Sequence, residues 1–365
     1  MFRPLTAILL VLSHFIPASV AGRSRKESFP AQEIFSFPPS NPVFIENLLP
    51  LPDNRILLSH FGAPGPDTAI YVLNSTTYPA SVSIVGWLPN STSQTGIAAL
   101  GENHYAITAG IVGTNFEFIK GTGAVYVIEL KNGENKAKVV DRVPVPNTIN
   151  LNGLVAIPPL RGKHSKGKRS HILLSADSRG GRVFRIDLKA RTAKVELTDA
   201  KLGGDPSNPE AGSIAITGVN GLALRKGQGR FDGWLYFANS AQGIVGRIKV
   251  DERGYQVVGK KGKVEVLGWI TGRVTLGNFF DDMDVDEQEN VYVGWVTERV
   301  LKIGKGTGKQ TIVLGPEVVN RTVEVRYPTA VKVGLNGKKK EIFVAGGGIG
   351  GDGTMLGGQV IRVGI

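Results

Sequence analysis

The sequence predicts an all-β protein: a six-bladed β-propeller of four-stranded antiparallel blades, its ring closed by a strand from the N-terminus. Three observations predict it. One strand–turn–strand unit occurs six times, amphipathic helical periodicity is almost absent, and 48 Gly and 20 Pro in 365 residues supply the turns that many short strands need.

In chain order the units are ILLSHFG with AIYVLN (56–74), YAITAG with AVYVIEL (105–130), ILLSADSRGG with RVFRIDL (172–188), LYFANSAQ with IVGRIKV (235–250), VYVGWVTE with RVLKIGK (291–305) and IFVAGGG with QVIRVGI (342–365). A short segment enters each: FIENLLPL at 44, TGIAAL at 95, LNGLVAI at 151, VNGLALR at 219, FDDMDVD at 280 and YPTAVKV at 327. A repeat of roughly 50–70 residues matches a blade of four strands, and six such blades close a ring with no exposed edge. The last unit ends at the C-terminus, so its outer strand is expected from EIFSFP at 33–38.

Ahead of the units stand Arg3, an apolar run from Ala7 to Val20, and the small residues Ser19 and Ala21. These read as a signal peptide over 1–21, cleaved after Ala21 to leave one domain, 22–365. A membrane anchor needs about 20 apolar residues, and this run is interrupted by Ser13, His14 and Pro17. The expected location is the secretory pathway or the exterior, with no membrane association after cleavage. Sequons at Asn74, Asn90 and Asn320 fit export as glycosylation sites. The absence of cysteine excludes disulfides, thiolate metal sites and a Cys nucleophile, so burial must supply stability.

The net charge is +12, but its placement argues against nucleic acid as a partner. The basic runs RGKHSKGKR (161–169), KKGK (260–263) and KKK (338–340) fall between strands, where solvated hairpin tips are expected, and no aromatic residues are interleaved for base stacking.

Inner propeller strands run along the axis, so their first residues and the turns after the second strands converge on one mouth of the channel. The strand starts offer Glu46, Asn47, Thr95, Asn152, Asn220, Asp281, Asp282 and Thr329. The turns add His60, Phe61, Asp177, Ser178, Asn239, Ser240, Trp295 and Thr297. Converging carboxylate and amide oxygens suit calcium or a similar cation, or hydrogen bonds to a substrate. Asn-Gly and Asp at strand starts also serve turn and capping chemistry. Of the five histidines only His60 reaches this end, so a His-dependent triad is not expected. GGGIGGDG (346–353) lacks a following helix, and GKGTGKQT (304–311) fails the spacing of a phosphate loop.

NGLALRKGQGRFDGWLYFANSAQGIVGRI and FDDMDVDEQENVYVGW resemble the regucalcin, gluconolactonase and strictosidine synthase-like superfamily of six-bladed propellers, over essentially all of the mature chain. That resemblance implies a divalent metal, calcium or zinc, on Glu46, Asn152, Asn220 and Asp281. It also implies lactone hydrolysis, with the cation polarising the carbonyl and Asp281 positioning or deprotonating water. The chain departs from the family where Asn47-Leu48 replaces Gly-Pro after the Glu, and where Phe280-Asp281-Asp282 replaces the PDG element. FPPSNPVFIENLLPLPDNRILLSHFG is similar to a branch of secreted fungal propellers that includes hetero-Diels-Alderases. This implies a cofactor-independent cyclase joining a quinone methide or similar heterodiene to a terpenoid alkene. Asn152, Asn220, Thr95 and Ser240 would be its oxygen-directed donors. His60, Phe61, Asn239, Trp295 and Thr329 would contact a polyketide or terpenoid substrate, with Phe61 and Trp295 as apolar walls. The three readings are this cyclase, the metal-dependent lactonase and a non-catalytic ligand-binding propeller, with a monomer as the default state.

Overall fold

The computed structural model of the chain describes residues 29–77, 79–113, 117–159, 169–225, 233–259, 262–318, 323–334 and 340–365. The expected signal segment 1–21, the sequon at Asn320 and most of the basic run 161–169 lie outside them. Among the described residues no helix is long and apolar enough to cross a membrane.

After strand β1 (Ala31–Ser36) the chain builds five blades in order. Blade one is β2 (Phe44–Pro50), β3 (Arg55–Phe61), β4 (Thr68–Asn74) and β5 (Ser81–Leu88). Blade two is β6 (Ser93–Gly101), β7 (His104–Gly110), β8 (Ala124–Glu129) and β9 (Lys138–Pro144). Blade three is β10 (Leu151–Ile157), β11 (Ile172–Asp177), β12 (Arg182–Asp187) and β13 (Thr192–Thr198). Blade four is β14 (Val219–Arg225), β15 (Gly233–Asn239), β16 (Ile244–Val250) and β17 (Glu265–Trp269). Blade five is β18 (Phe280–Val285), β19 (Val291–Trp295), β20 (Arg299–Ile303) and β21 (Gln310–Leu314). The sixth holds β22 (Pro328–Val333), β23 (Glu341–Gly346) and β24 (Gln359–Gly364), and β1 completes it from the other end of the chain.

The clasp runs from Ala31 opposite Val363 to Ser36 opposite Gln359, close to the expected 33–38. Phe37 then packs edge-on against Tyr71 of blade one, ring centroids 5.3 Å apart, which carries the chain across the seam. Apolar side chains of successive blades interdigitate. Leu57, Ile70 and Val72 of blade one, for example, meet Ile97, Ile107 and Tyr126 of blade two.

A register irregularity recurs at the start of all six inner strands: Ile45/Asn47, Gln94/Ile97, Leu151/Leu154, Val219/Leu222, Phe280/Met283 and Pro328/Ala330. A bulge leaves its extra residues outside the ladder and re-aims a side chain. The first residue inside each bulge is, in chain order, Glu46, Thr95, Asn152, Asn220, Asp281 and Thr329. The glycines that follow Thr95, Asn152 and Asn220 are required by close approach. A Cβ on Gly96, Gly153 or Gly221 would come within 3.0 Å of Asn152 O, Asn220 O or Asp282 Oδ1 of the next blade. The Asn-Gly pairs therefore sit inside strands, not in turns.

Removing residues 1–36 strips the five paired positions of β1, which at about 1 kcal/mol per hydrogen bond is a loss of several kcal/mol. Thermal unfolding followed by circular dichroism should shift down by more than about 10 °C, at roughly 2–4 °C per kcal/mol. An unchanged transition would show that the ring does not depend on the clasp.

Candidate active site

The six bulge residues divide by chemistry. Thr95 Oγ1 donates to Leu151 O (2.9 Å) and Thr329 Oγ1 to Ile45 O (2.8 Å), each tying one inner strand to the next. Ser240 Oγ likewise donates to Phe280 O (2.7 Å). These hydroxyl protons are committed to the ring itself.

The other four converge. Asn152 hydrogen-bonds Glu46, and Asn220 Nδ2 donates to Asp281 Oδ1 at 2.7 Å and to Ser240 Oγ at 3.0 Å. Asn220 Oδ1 is buried and has no hydrogen-bond partner. Burial, then the charge of Asp282, push the Glu46 carboxyl up to about 8, against the hydrogen bond from Asn152. Burial, then Glu46, then Asp282, hold Asp281 well above the usual carboxylate range. Two carboxyls from blades one and five thus face each other in a site that stabilises neither as an anion.

One residue further down the strands lies a second layer. Asn47 Nδ2 donates to Asp282 Oδ2 at 2.5 Å, and Lys332 Nζ donates to the same oxygen at 3.0 Å and to Met283 O at 3.3 Å. Burial alone would lower the Lys332 ammonium, but Asp282 and Asp284 outweigh it and hold the group above its usual value. Asp282 is thereby satisfied by the protein's own cation, whereas Glu46 and Asp281 are not.

The remaining expected contacts fall elsewhere. His60 shares a strand face with Ile56 and Leu58, packs against Tyr71 (5.9 Å) and is pushed down to about 4 by burial, so it is a neutral ring between blades one and six. Asn239 Nδ2 donates to Lys201 O (2.9 Å) and Gly203 O (2.8 Å), holding the loop between blades three and four. Asp177 accepts from Ile149 N (3.0 Å) and Asn150 N (2.8 Å) and pairs with Arg182 at 3.0 Å. Trp295 Nε1 donates to Asn278 Oδ1 (2.6 Å), and with Thr297 it lines a cleft of about 570 Å³ on blade five and the loop that enters it. Phe61 alone of the expected walls stays at the mouth, 6.1 Å from Phe44.

Sequence reasoning missed Lys332, Phe44, Phe279 and Tyr327. The Tyr327 ring stands 5.9 Å from Phe44 and 6.1 Å from Phe279. Burial, then Asp281 and Glu46, raise its phenol above the ordinary range, so it is a neutral donor beside the carboxyl pair. The signal for Lys332 was a lysine inside the apolar inner strand PTAVKV; nothing local marked Tyr327.

Among the described residues no three of His, Cys, Asp and Glu are grouped to hold a metal by themselves. The donor set here is mixed: two carboxylates and two amides. An oxygen-seeking divalent cation fits it, because it would take up the free Asn220 oxygen and the repulsion between Glu46 and Asp281.

No family model and no curated protein sequence matches the chain. Solved structures do. A luciferin-regenerating enzyme superposes with TM-score 0.56 at 13% identity over 93% of this chain and 96% of that one. A calcium-binding protein, regucalcin, from Agrobacterium tumefaciens superposes with TM-score 0.53 at 12% identity, over 93% and 94%. A protein of unknown function from Bacteroides thetaiotaomicron gives 0.56 at 14%, over 92% and 76%. At these identities the likeness is one of fold, a fold used by propeller enzymes and binding proteins.

Stability should report the carboxyl pair. A folded-state pKa near 8 for Glu46 means that the folded form holds its proton more tightly than the unfolded one, so stability is lost as pH rises toward 8. His60, depressed to about 4, acts in the opposite sense, but its gain is complete by its ordinary value near 6.5. In chelator the melting temperature should therefore fall between about pH 6.5 and 8, and Glu46→Gln should flatten that fall. A slope unchanged in the variant would contradict the assignment.

Proposed function

We propose that the channel mouth is the reacting site of a propeller hydrolase that opens lactones or esters with the help of a divalent cation on Glu46, Asn152, Asn220 and Asp281. One observation carries the reading: a buried amide oxygen without a partner, on Asn220, lies beside two mutually repelling carboxyls. When bound, the ion supplies positive charge that polarises the substrate carbonyl. Asn220 Nδ2 holds Asp281 Oδ1 in place, so that Asp281 takes the proton of the attacking water. It returns that proton to the ring oxygen as the C–O bond breaks. Asn152 orients Glu46, and the Lys332–Asp282 pair beneath keeps a third carboxylate out of the site. The alkyl body of the substrate rests on Phe44 and Phe61.

A second reading is favoured by a separate observation. Loops at the mouth end expose Ile119, Ile149, Ile216, Leu276 and Met355, a rim suited to an apolar polycyclic molecule. A cofactor-independent cyclase of hetero-Diels-Alderase type, closing a heterodiene onto a terpenoid alkene, would use that rim together with neutral donors. Export, glycans on Asn74 at the end of β4 and on Asn90 in the turn after β5, and a monomeric state complete the proposal. Saturable binding of a ligand without turnover would instead mark a binding module.

Calorimetric titration of the chelator-treated protein with calcium and with manganese should show about one site per chain, lost in Asp281→Asn. Hydrolysis of dihydrocoumarin, an aromatic lactone, should stop in chelator and return with the ion. Hydrolysis indifferent to chelator, with no ion bound, sinks the ion-assisted mechanism, and no hydrolysis with or without the ion sinks the hydrolase and leaves the cyclase.

A further inference from the structure

Tyr327 sits in a backbone conformation that its sequence position disfavours. Its φ is +55°, a left-handed value that costs a residue with a Cβ roughly 1–2 kcal/mol, and it precedes Pro328, where extended backbone is preferred. Among the described non-glycine residues it is the only aromatic one with positive φ; the others are Asn, Glu and Arg. Such outliers persist only where the surroundings over-determine them, and here they do. Gly347 N donates to Tyr327 O at 2.8 Å and Gly348 N to Arg326 O at 3.2 Å. A Cβ on Gly346 would come within 3.0 Å of Arg326 O, and one on Gly347 within 3.0 Å of the Phe44 ring. The glycine run 346–348 is thus a seat for Tyr327 and for the ring beside it.

What the seat achieves is placement of a phenol. Tyr327 stands just before β22 in blade six, between Glu46 of blade one and Asp281 of blade five, and both carboxyls act on it electrostatically. Phe44 and Phe279 clamp its ring from two sides at 5.9 and 6.1 Å, both in edge contact. Its hydroxyl makes no hydrogen bond to any described residue, while the hydroxyls of Thr95 and Ser240, the two expected hydroxyl donors, and that of Thr329 are each spent on a neighbouring blade.

We propose that Tyr327 is a catalytic residue, the hydrogen-bond donor that receives the carbonyl oxygen of an apolar ring substrate at the channel mouth. The proposal rests on the reading that the mouth is the reacting site, but not on which reaction occurs there. The phenol gives up no proton. It strengthens its hydrogen bond as charge builds on the carbonyl oxygen, and Phe44 and Phe279 keep it from turning away.

The test uses Tyr327→Phe, which keeps the ring and its packing and removes one oxygen, on the full mature chain with two probes. One is dihydrocoumarin; the other is 2-tetralone, an unreactive ketone of similar shape whose bound C=O stretch is read by infrared difference spectroscopy. In the wild type the stretch should move to lower frequency. In Tyr327→Phe the shift should vanish and kcat for dihydrocoumarin should fall roughly 10²–10³-fold, with KM, ion binding and melting temperature little changed. Gly347→Ala, which crowds Phe44, should weaken the shift without touching the hydroxyl. If the wild type shifts the ketone but never hydrolyses the lactone, the hydrolase fails and the role of Tyr327 stands. A shift retained in Tyr327→Phe, a rate unaffected by it, or no 2-tetralone bound by the wild type overturns the role.

Discussion

Three of the six inner strands approach the next blade more closely than a β-carbon allows, and the rest of the molecule follows from that constraint. Gly96, Gly153 and Gly221 are the points of closest approach, each facing the backbone or an acidic side chain of the next blade. Strands packed this closely cannot all keep a regular ladder. Each therefore starts with a bulge, and the bulge turns one side chain per blade away from the sheet. The ring of polar residues at the mouth is the by-product of closing the propeller, available either to lock the ring or to do chemistry.

The chain locks part of it and leaves the rest unsatisfied. Thr95 and Thr329 lock, since a hydroxyl reaches a neighbouring carbonyl and leaves nothing over. Glu46, Asn152, Asn220 and Asp281 do not close their own hydrogen bonding: a carboxylate only accepts, and an amide donates with one end and keeps an oxygen on the other. Burying two unneutralised carboxyls is unfavourable. The protein relieves that cost one layer below, where Lys332 neutralises Asp282, and leaves it standing above. Selective neutralisation of one acid out of three is what separates a satisfied layer from an unsatisfied one.

Much of this was legible in the chain. The six units, their order and the late clasp follow from alternation and turn residues, because a strand's side-chain period is local and a blade repeats it. Position put Glu46, Asn152, Asn220 and Asp281 among the residues at the strand heads, and the resemblance to metal-binding propellers singled those four out together. The same positional argument over-reached for Thr95, Thr329 and Asn239, whose polar atoms turn out to be used by the backbone of another blade or loop. It also over-reached for His60, which period-two alternation places on the blade face with Ile56 and Leu58. Lys332 is five residues past Tyr327 in a strand whose only other polar side chain is that of Thr329, and its partner Asp282 is 50 residues away; no local pattern joins them.

By itself, then, the sequence determined the number of blades, the direction of every inner strand and which side chains stand at its head. These depend on periodicity and on residue type alone. Tertiary structure decided which of those heads meet a carbonyl and which meet another acid, where the one buried lysine goes, and that a tyrosine in an unfavourable backbone conformation stands over the carboxyl pair. Those outcomes depend on distances between blades, and such distances are set only when the ring closes.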